Sequence, residues 1–135
     1  MKWKLMMSND EKKYAYFFTR QDIFPEYQLV QTAHAALKLG ALGAHHAVEA
    51  RKPLLDYQHY DFSPDETYFT CVGVRDMDAL MAVVDILEVF NLRYEVFHEP
   101  DLNGGEETAI GVYPVDESRR GFLLAFNLLK FGGKG

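Results

Sequence analysis

The run Tyr14-Ala-Tyr-Phe-Phe-Thr19 constrains the fold most, because it is short and nearly continuous in apolar and aromatic side chains. A strand of that composition is expected to be buried on both faces. It belongs inside a sheet that carries other elements on each side. Thr67–Val74 reads as a second apolar strand. Between them, Asp22 and Pro25 give a helix-entry signal, with Pro25 suited to the first turn.

The segment from there to about Val48 has helical periodicity. Leu29, Ala33, Ala36, Leu37, Gly40 and Ala44 fall on one side, and Tyr27, Gln31, His34 and Lys38 on the other, at spacings of 4, 3 and 4. The small residues of the apolar side predict that this side lies close against the sheet. Arg51-Lys-Pro53 stops the helix, and residues 49–66 read as a connection with at most a short local helix. Asp76 offers an N-cap to an amphipathic helix with Leu80, Val83, Val84, Leu87 and Phe90, ending near Asn91. Arg93–His98 alternates as a half-exposed strand. Glu99–Glu107 is a Pro, Asn and Gly-rich loop, and Thr108–Tyr113 a fourth strand. Pro114 and Asp116 lead into a last helix with Phe122, Leu123, Phe126 and Leu129, ended by Gly132-Gly133.

This order, β-α-β-α-β-β-α, predicts a single α/β domain with a four-stranded mixed sheet and helices on its faces. The first crossover supplies a parallel pair, and a hairpin can join the last two strands. Residues 1–12 read as a flexible, charged leader, 13–131 as the domain and 132–135 as a tail.

At 135 residues, 48% hydrophobic and 25% charged, the chain has the composition of one soluble globular domain. No apolar run approaches the ~20 residues of a membrane span, and the N-terminal apolar stretch is too short for a signal peptide. A cytoplasmic protein with no membrane partner is expected. The net charge of −6 argues against general nucleic-acid binding, which draws on a basic surplus. Local patches exist at Lys2, Lys4, Lys12, Lys13 and Arg20, and at Arg119 and Arg120. Cys71 is the only cysteine, which excludes an internal disulfide, and its place within Tyr68–Val74 predicts a buried, inert thiol.

Gln31 and His34 share a helical face beside the turn Arg20-Gln-Asp22-Ile-Phe-Pro25, outside the carboxyl end of a strand, where α/β sheets place chemistry. Any amphipathic helix also has a polar face that solvent satisfies. A metal site is not expected: His34 and His45 stand eleven residues apart, and His45 and His46 point in different directions. The acidic loop Glu99, Asp101, Glu106 and Glu107 lacks the alternating ligands of a calcium loop. No helix follows Gly104-Gly105, so it is no phosphate loop. No cofactor motif and no nucleophile elbow is present.

Arg20-x-Asp22, Gln31-x-x-His34-Ala35 and a last strand opening with Thr108 together resemble the peptidyl-tRNA hydrolase 2 family. Glu99-Pro-Asp101-Leu-Asn103 followed by Thr108-Ala-Ile is similar to its divergent phage and bacterial branch. The resemblance spans about residues 13–131. It implies an α/β domain, often dimeric, that hydrolyses the ester between a peptide and the 3′ end of tRNA, without a cofactor. It places the functional glutamine on Gln31, the threonine on Thr108 and the acidic residue on Glu99 or Asp101. Arg20 and Asp22 match the strand-end pair, and Tyr27, His34 and Asn103 join them as substrate-binding candidates. One departure is plain: Tyr27 stands where the family has a lysine, and a tyrosine hydroxyl carries no charge at neutral pH. Two expectations follow. The chain is an ester hydrolase acting on peptidyl-tRNA or another acyl-nucleotide, with Arg20 meeting phosphate. Alternatively, it is a non-catalytic module that uses the cleft for another ligand, or Tyr57–Phe62 for a protein partner.

Overall fold

A computed structural model describes residues 12–52, 64–123 and 125. Its elements run β1 (Lys13–Arg20), α1 (Pro25–Glu49), β2 (Thr67–Val74), α2 (Met77–Val89), β3 (Tyr94–Glu99) and β4 (Glu106–Val115). Short 3-10 turns lie at Pro64–Glu66 and Glu117–Phe122. The strands form one mixed sheet in the order β2-β1-β4-β3. β1 and β2 are parallel, with Phe17 beside Cys71, while β4 runs antiparallel to both β1 and β3. The chain is thus a single α/β domain with a four-stranded mixed sheet and helices. The expected leader up to residue 11, the stretch 53–63 with Tyr57–Phe62, and the expected helical residues Phe126 and Leu129 lie outside the described residues. Among those described, no helix is long and apolar enough to cross a membrane.

β1 is buried from Ala15 to Arg20, as its aromatic run predicts. Tyr16 and Phe18 join the larger core with Val74, Leu80, Val83, Leu87, Ile110 and Phe122, under α2. Ala15 and Phe17 face the other way, onto Ala35 and Ala109. Asp76 caps α2, its carboxylate accepting the Ala79 N–H at 3.0 Å. That bond holds the Asp76 carboxyl below its ordinary pKa.

α1 turns a different side to the sheet than its periodicity predicts. The buried residues are Gln31, Ala35, Leu39, Gly43 and Ala47, while Leu29 and Leu37 point into solvent. The reason is local. The sheet presents small groups, Ala15, Ala109 and Gly111, so alanine and glycine bring the helix closest. Gln31 is drawn in by a buried hydrogen-bond partner, which removes the penalty for burying its amide. Thr19 and Thr32 hydroxyls bond at 2.6 Å across this interface. Lys38, read as part of an outward polar face, reaches β3 and donates to the Val96 carbonyl at 2.7 Å. Asp22 is not the helix cap either: Phe24 holds the N-cap position without a side-chain bond, and Pro25 opens the helix.

Cys71 is exposed, contrary to the expectation of a buried thiol. α1 packs on β1, β4 and β3, so the flank of edge strand β2 stays open. Contact between α1 and the sheet is tightest at Gly111. A Cβ there would meet Phe17 Cε1 at 3.0 Å and Leu39 Cδ1 at 3.1 Å. Both neighbours are buried and have little room to yield. Gly111→Ala is therefore expected to destabilise the domain by about 1–2 kcal/mol, read from chemical denaturation midpoints.

Candidate functional site

The site forms where the carboxyl end of β1, the first turns of α1 and the β3–β4 loop meet. Thr108 reaches it through an irregularity. Along β4, Ala109 pairs with Phe97 but Glu107 pairs with His98, which leaves Thr108 as the extra residue of a β-bulge. Bulges re-aim side chains, and this one sends the Thr108 hydroxyl to α1. It donates to Gln31 Oε1 at 2.6 Å. Gln31 Nε2 in turn donates to Glu99 Oε1 at 2.8 Å. The second oxygen of Glu99 accepts the Asp101 backbone N–H at 3.2 Å. Thr108 is 0% and Gln31 5% exposed, so the chain Thr108–Gln31–Glu99 runs from the interior to the surface. Because an ionised Glu99 only accepts, Gln31 Nε2 must face it, which leaves Gln31 Oε1 to accept from the Thr108 hydroxyl.

These residues line a cleft of about 840 Å³. Its other walls are Ile23, Phe24, Pro25, Tyr27 and Val30 from the turn and α1, and Leu102 from the loop. Tyr27 is 54% exposed and meets Phe24 edge-on, with centroids 5.9 Å apart, so it borders the cleft without filling it. Asp22, Glu99 and Asp101 all border the space, and no lysine, arginine or histidine does among the described residues.

Arg20 stands apart from the cleft. Its side chain is 8% exposed, with Nε and Nη2 on the two Asp22 oxygens at 2.8 and 2.9 Å. Nη1 reaches Glu106 Oε1 at 2.8 Å and the Glu107 carbonyl at 3.0 Å. Asn103 donates to the other Glu106 oxygen at 2.8 Å. The expected phosphate contact is thus replaced by an internal one: Arg20 ties the β3–β4 loop to the end of β1, and Asp22 completes the tie. The loop tip follows, with Asn103, Gly104 and Gly105 at φ of 48°, 82° and 116°. Only the glycines take such angles without strain. His34 lies outside the cleft, its ring stacked on Phe97 at 4.7 Å. Of the late basic pair, Arg120 covers the Tyr14 ring at 3.9 Å and Arg119 donates to the Asn91 carbonyl at 2.9 Å.

The structure therefore brings Gln31, Glu99, Asp101, Thr108, Asp22 and Tyr27 around one space. Asn103 and Arg20 support the loop from behind. It also separates the two carboxylates left open by the sequence, since Glu99 is the one bonded to Gln31. The cleft walls Phe24, Val30 and Leu102 and the anchor Glu106 were not recognised as site residues from sequence. An exposed aromatic beside Pro25 was the only signal for the first. Compared with protein-family models and with curated proteins, the chain matches none.

The Gln31 bond, then the Asp101 N–H and the nearby His34, hold the Glu99 carboxyl below its ordinary pKa despite partial desolvation. Arg20 and Asn103 do the same for Glu106. Depressed carboxylate pKa values mean that the loop ties are present above the ordinary glutamate range and lost as pH falls through the lowered values. Titration by NMR is expected to show the Glu99 side-chain carboxyl carbon shifting with a midpoint below the ordinary glutamate value. A midpoint at or above that value would remove the Gln31–Glu99 bond from the account.

Proposed function

We propose that the chain hydrolyses the ester of a 3′-acylated nucleotide of the peptidyl-tRNA type, with the tRNA 3′ end as partner. The observation that carries this reading is the ordered chain Thr108–Gln31–Glu99 at the wall of an apolar cleft. Glu99 is ionised at neutral pH and retains lone pairs for a water molecule. It takes a proton from that water as the oxygen attacks the ester carbonyl carbon. One N–H of Gln31 Nε2 is committed to Glu99, and its second is positioned for the carbonyl oxygen as negative charge develops. The C–O ester bond then breaks, and the proton held by Glu99 passes to the departing 3′ oxygen. The products are a carboxylic acid and a free 3′ hydroxyl. Thr108, buried, acts through Gln31 by donating to its amide oxygen. A carboxylate with a lowered pKa is a weak base, so modest turnover is expected.

A second reading has its own support: among the described residues the cleft is lined by carboxylates and by no cation, and Tyr27 stands where a lysine is expected from the resemblance. These features suit a module that binds an apolar or cationic ligand without cleaving it. One assay separates the two. Purified protein is incubated with a labelled peptidyl-tRNA, with Gln31→Ala as control. Release of free peptide that is lost in the control supports hydrolysis. No release above the control leaves only the binding module.

A further inference from the structure

The carboxylates that border the cleft differ in what already occupies them. Both oxygens of Asp22 are held by Arg20. Glu99 accepts from Gln31 through one oxygen and from the Asp101 backbone N–H through the other. The Asp101 carboxylate is exposed and has no partner among the described residues. No cation stands in the described lining to offset it. The space beside Asp101 therefore favours a positively charged group and disfavours an anion.

Two further observations say what that group is attached to. Gln31 is buried, and its Nε2 gives one hydrogen to Glu99. The second hydrogen has no acceptor among the described residues, although the side chain lines the cleft. A buried donor left unpaired is costly, so a ligand oxygen at this place is favoured. The other walls are apolar: Phe24, Tyr27, Val30 and Leu102. Phe24 is 68% exposed, and such large side chains around a concavity suit an apolar body. An ammonium, a carbonyl oxygen and an apolar side chain meet around one carbon in an amino-acid residue. Its carboxyl must be an ester or amide, since a free carboxylate would bring a like charge to Glu99 and Asp101.

We infer that the cleft holds an aminoacyl group with a large apolar side chain. Its α-ammonium lies against Asp101, its carbonyl oxygen accepts from Gln31 Nε2, and its side chain rests on Phe24, Tyr27, Val30 and Leu102. One consequence rests on the hydrolase reading: aminoacyl esters are cleaved in preference to N-blocked esters of the same side chain. The binding itself does not.

NMR titration of the full chain at about pH 6, where an α-amino group is protonated, tests it. The probes are phenylalaninamide, 3-phenylpropanamide, which lacks only the amine, and phenylalanine, which restores the carboxylate. Phenylalaninamide is expected to shift the Tyr27, Val30, Asp101 and Leu102 amides. It should bind about three- to fivefold more tightly than either other probe, the range of a solvent-exposed ion pair. Asp101→Asn should erase the advantage over 3-phenylpropanamide, and Phe24→Ala should weaken both amides alike. Equal affinities in the wild type overturn the inference, as do shifts that miss the cleft or a preference that survives Asp101→Asn. None of the probes carries an ester. A protein that keeps the preference and cleaves nothing thus loses the hydrolase reading alone, and one that cleaves peptidyl-tRNA without the preference loses this inference alone.

Discussion

Glu99→Gln is expected to lower peptide release by roughly 10²–10⁴-fold, the range a positioned general base contributes. The substitution keeps the size of the side chain and an oxygen that can accept from Gln31, so the relay and the fold persist. What disappears is the charge that takes the proton from water in the proposed reaction. Asp101→Asn should have a much smaller effect, because Asp101 supports Glu99 through its backbone N–H rather than its carboxylate. Thr108→Val should fall between them. It leaves the buried Gln31 Oε1 without its donor, so the side chain that carries Nε2 to Glu99 is held less firmly. Initial rates on labelled peptidyl-tRNA, with denaturation curves for each variant, check this order. Equal rates for wild type and Glu99→Gln would exclude Glu99 as the base.

The second large effect is on stability. Arg20→Ala is expected to cost about 2–3 kcal/mol, toward the low side for removing one partner of a buried ion pair. The figure is discounted because the Asp22 and Glu106 side chains keep 39% and 28% of their exposure, so water can solvate them once the guanidinium is gone. For a domain of this size the midpoint of thermal unfolding should drop by roughly 10 °C. The loss should be shared across two elements, since Arg20 links the end of β1 to the loop through Asp22, Glu106 and the Glu107 carbonyl. A double-mutant cycle between Arg20→Ala and Glu106→Gln should therefore show coupling. Additive losses would mean that Arg20 does not hold the loop. Arg20→Ala should also weaken activity beyond its effect on folding, because the loop it anchors carries Glu99.

The strands were legible in the sequence because β1 and β2 are apolar runs bounded by turn residues and β3 alternates, and β1 and β2 fall where those runs lie. The inward side of α1 was not. Periodicity identifies the more apolar side of a helix, and here leucines occupy the outer one. Gln31 goes inward because Thr108, 77 residues away in sequence, supplies its partner. Cys71 shows a related limit, since an apolar strand does not reveal whether it ends at the edge of a sheet. For the site, residue types alone gave a polar helix face, and the resemblance selected Gln31, Thr108 and a carboxylate. That Glu99, and not Asp101, accepts from Gln31 required the fold. So did the role of Arg20, whose charge seemed available for phosphate until Glu106 arrived from 86 residues away.

The bulge at Thr108 makes strand phase a chemical variable. On either side of it β4 keeps its alternation, but the two halves are one residue out of step. Removing a single residue there would restore an even ladder and leave the strands paired. It would also turn a different side chain toward Gln31, and the glutamine would lose the hydroxyl that donates to its amide. The smallest edit able to silence this site is thus a deletion, with no new side chain introduced. It lies in the count of residues along one strand.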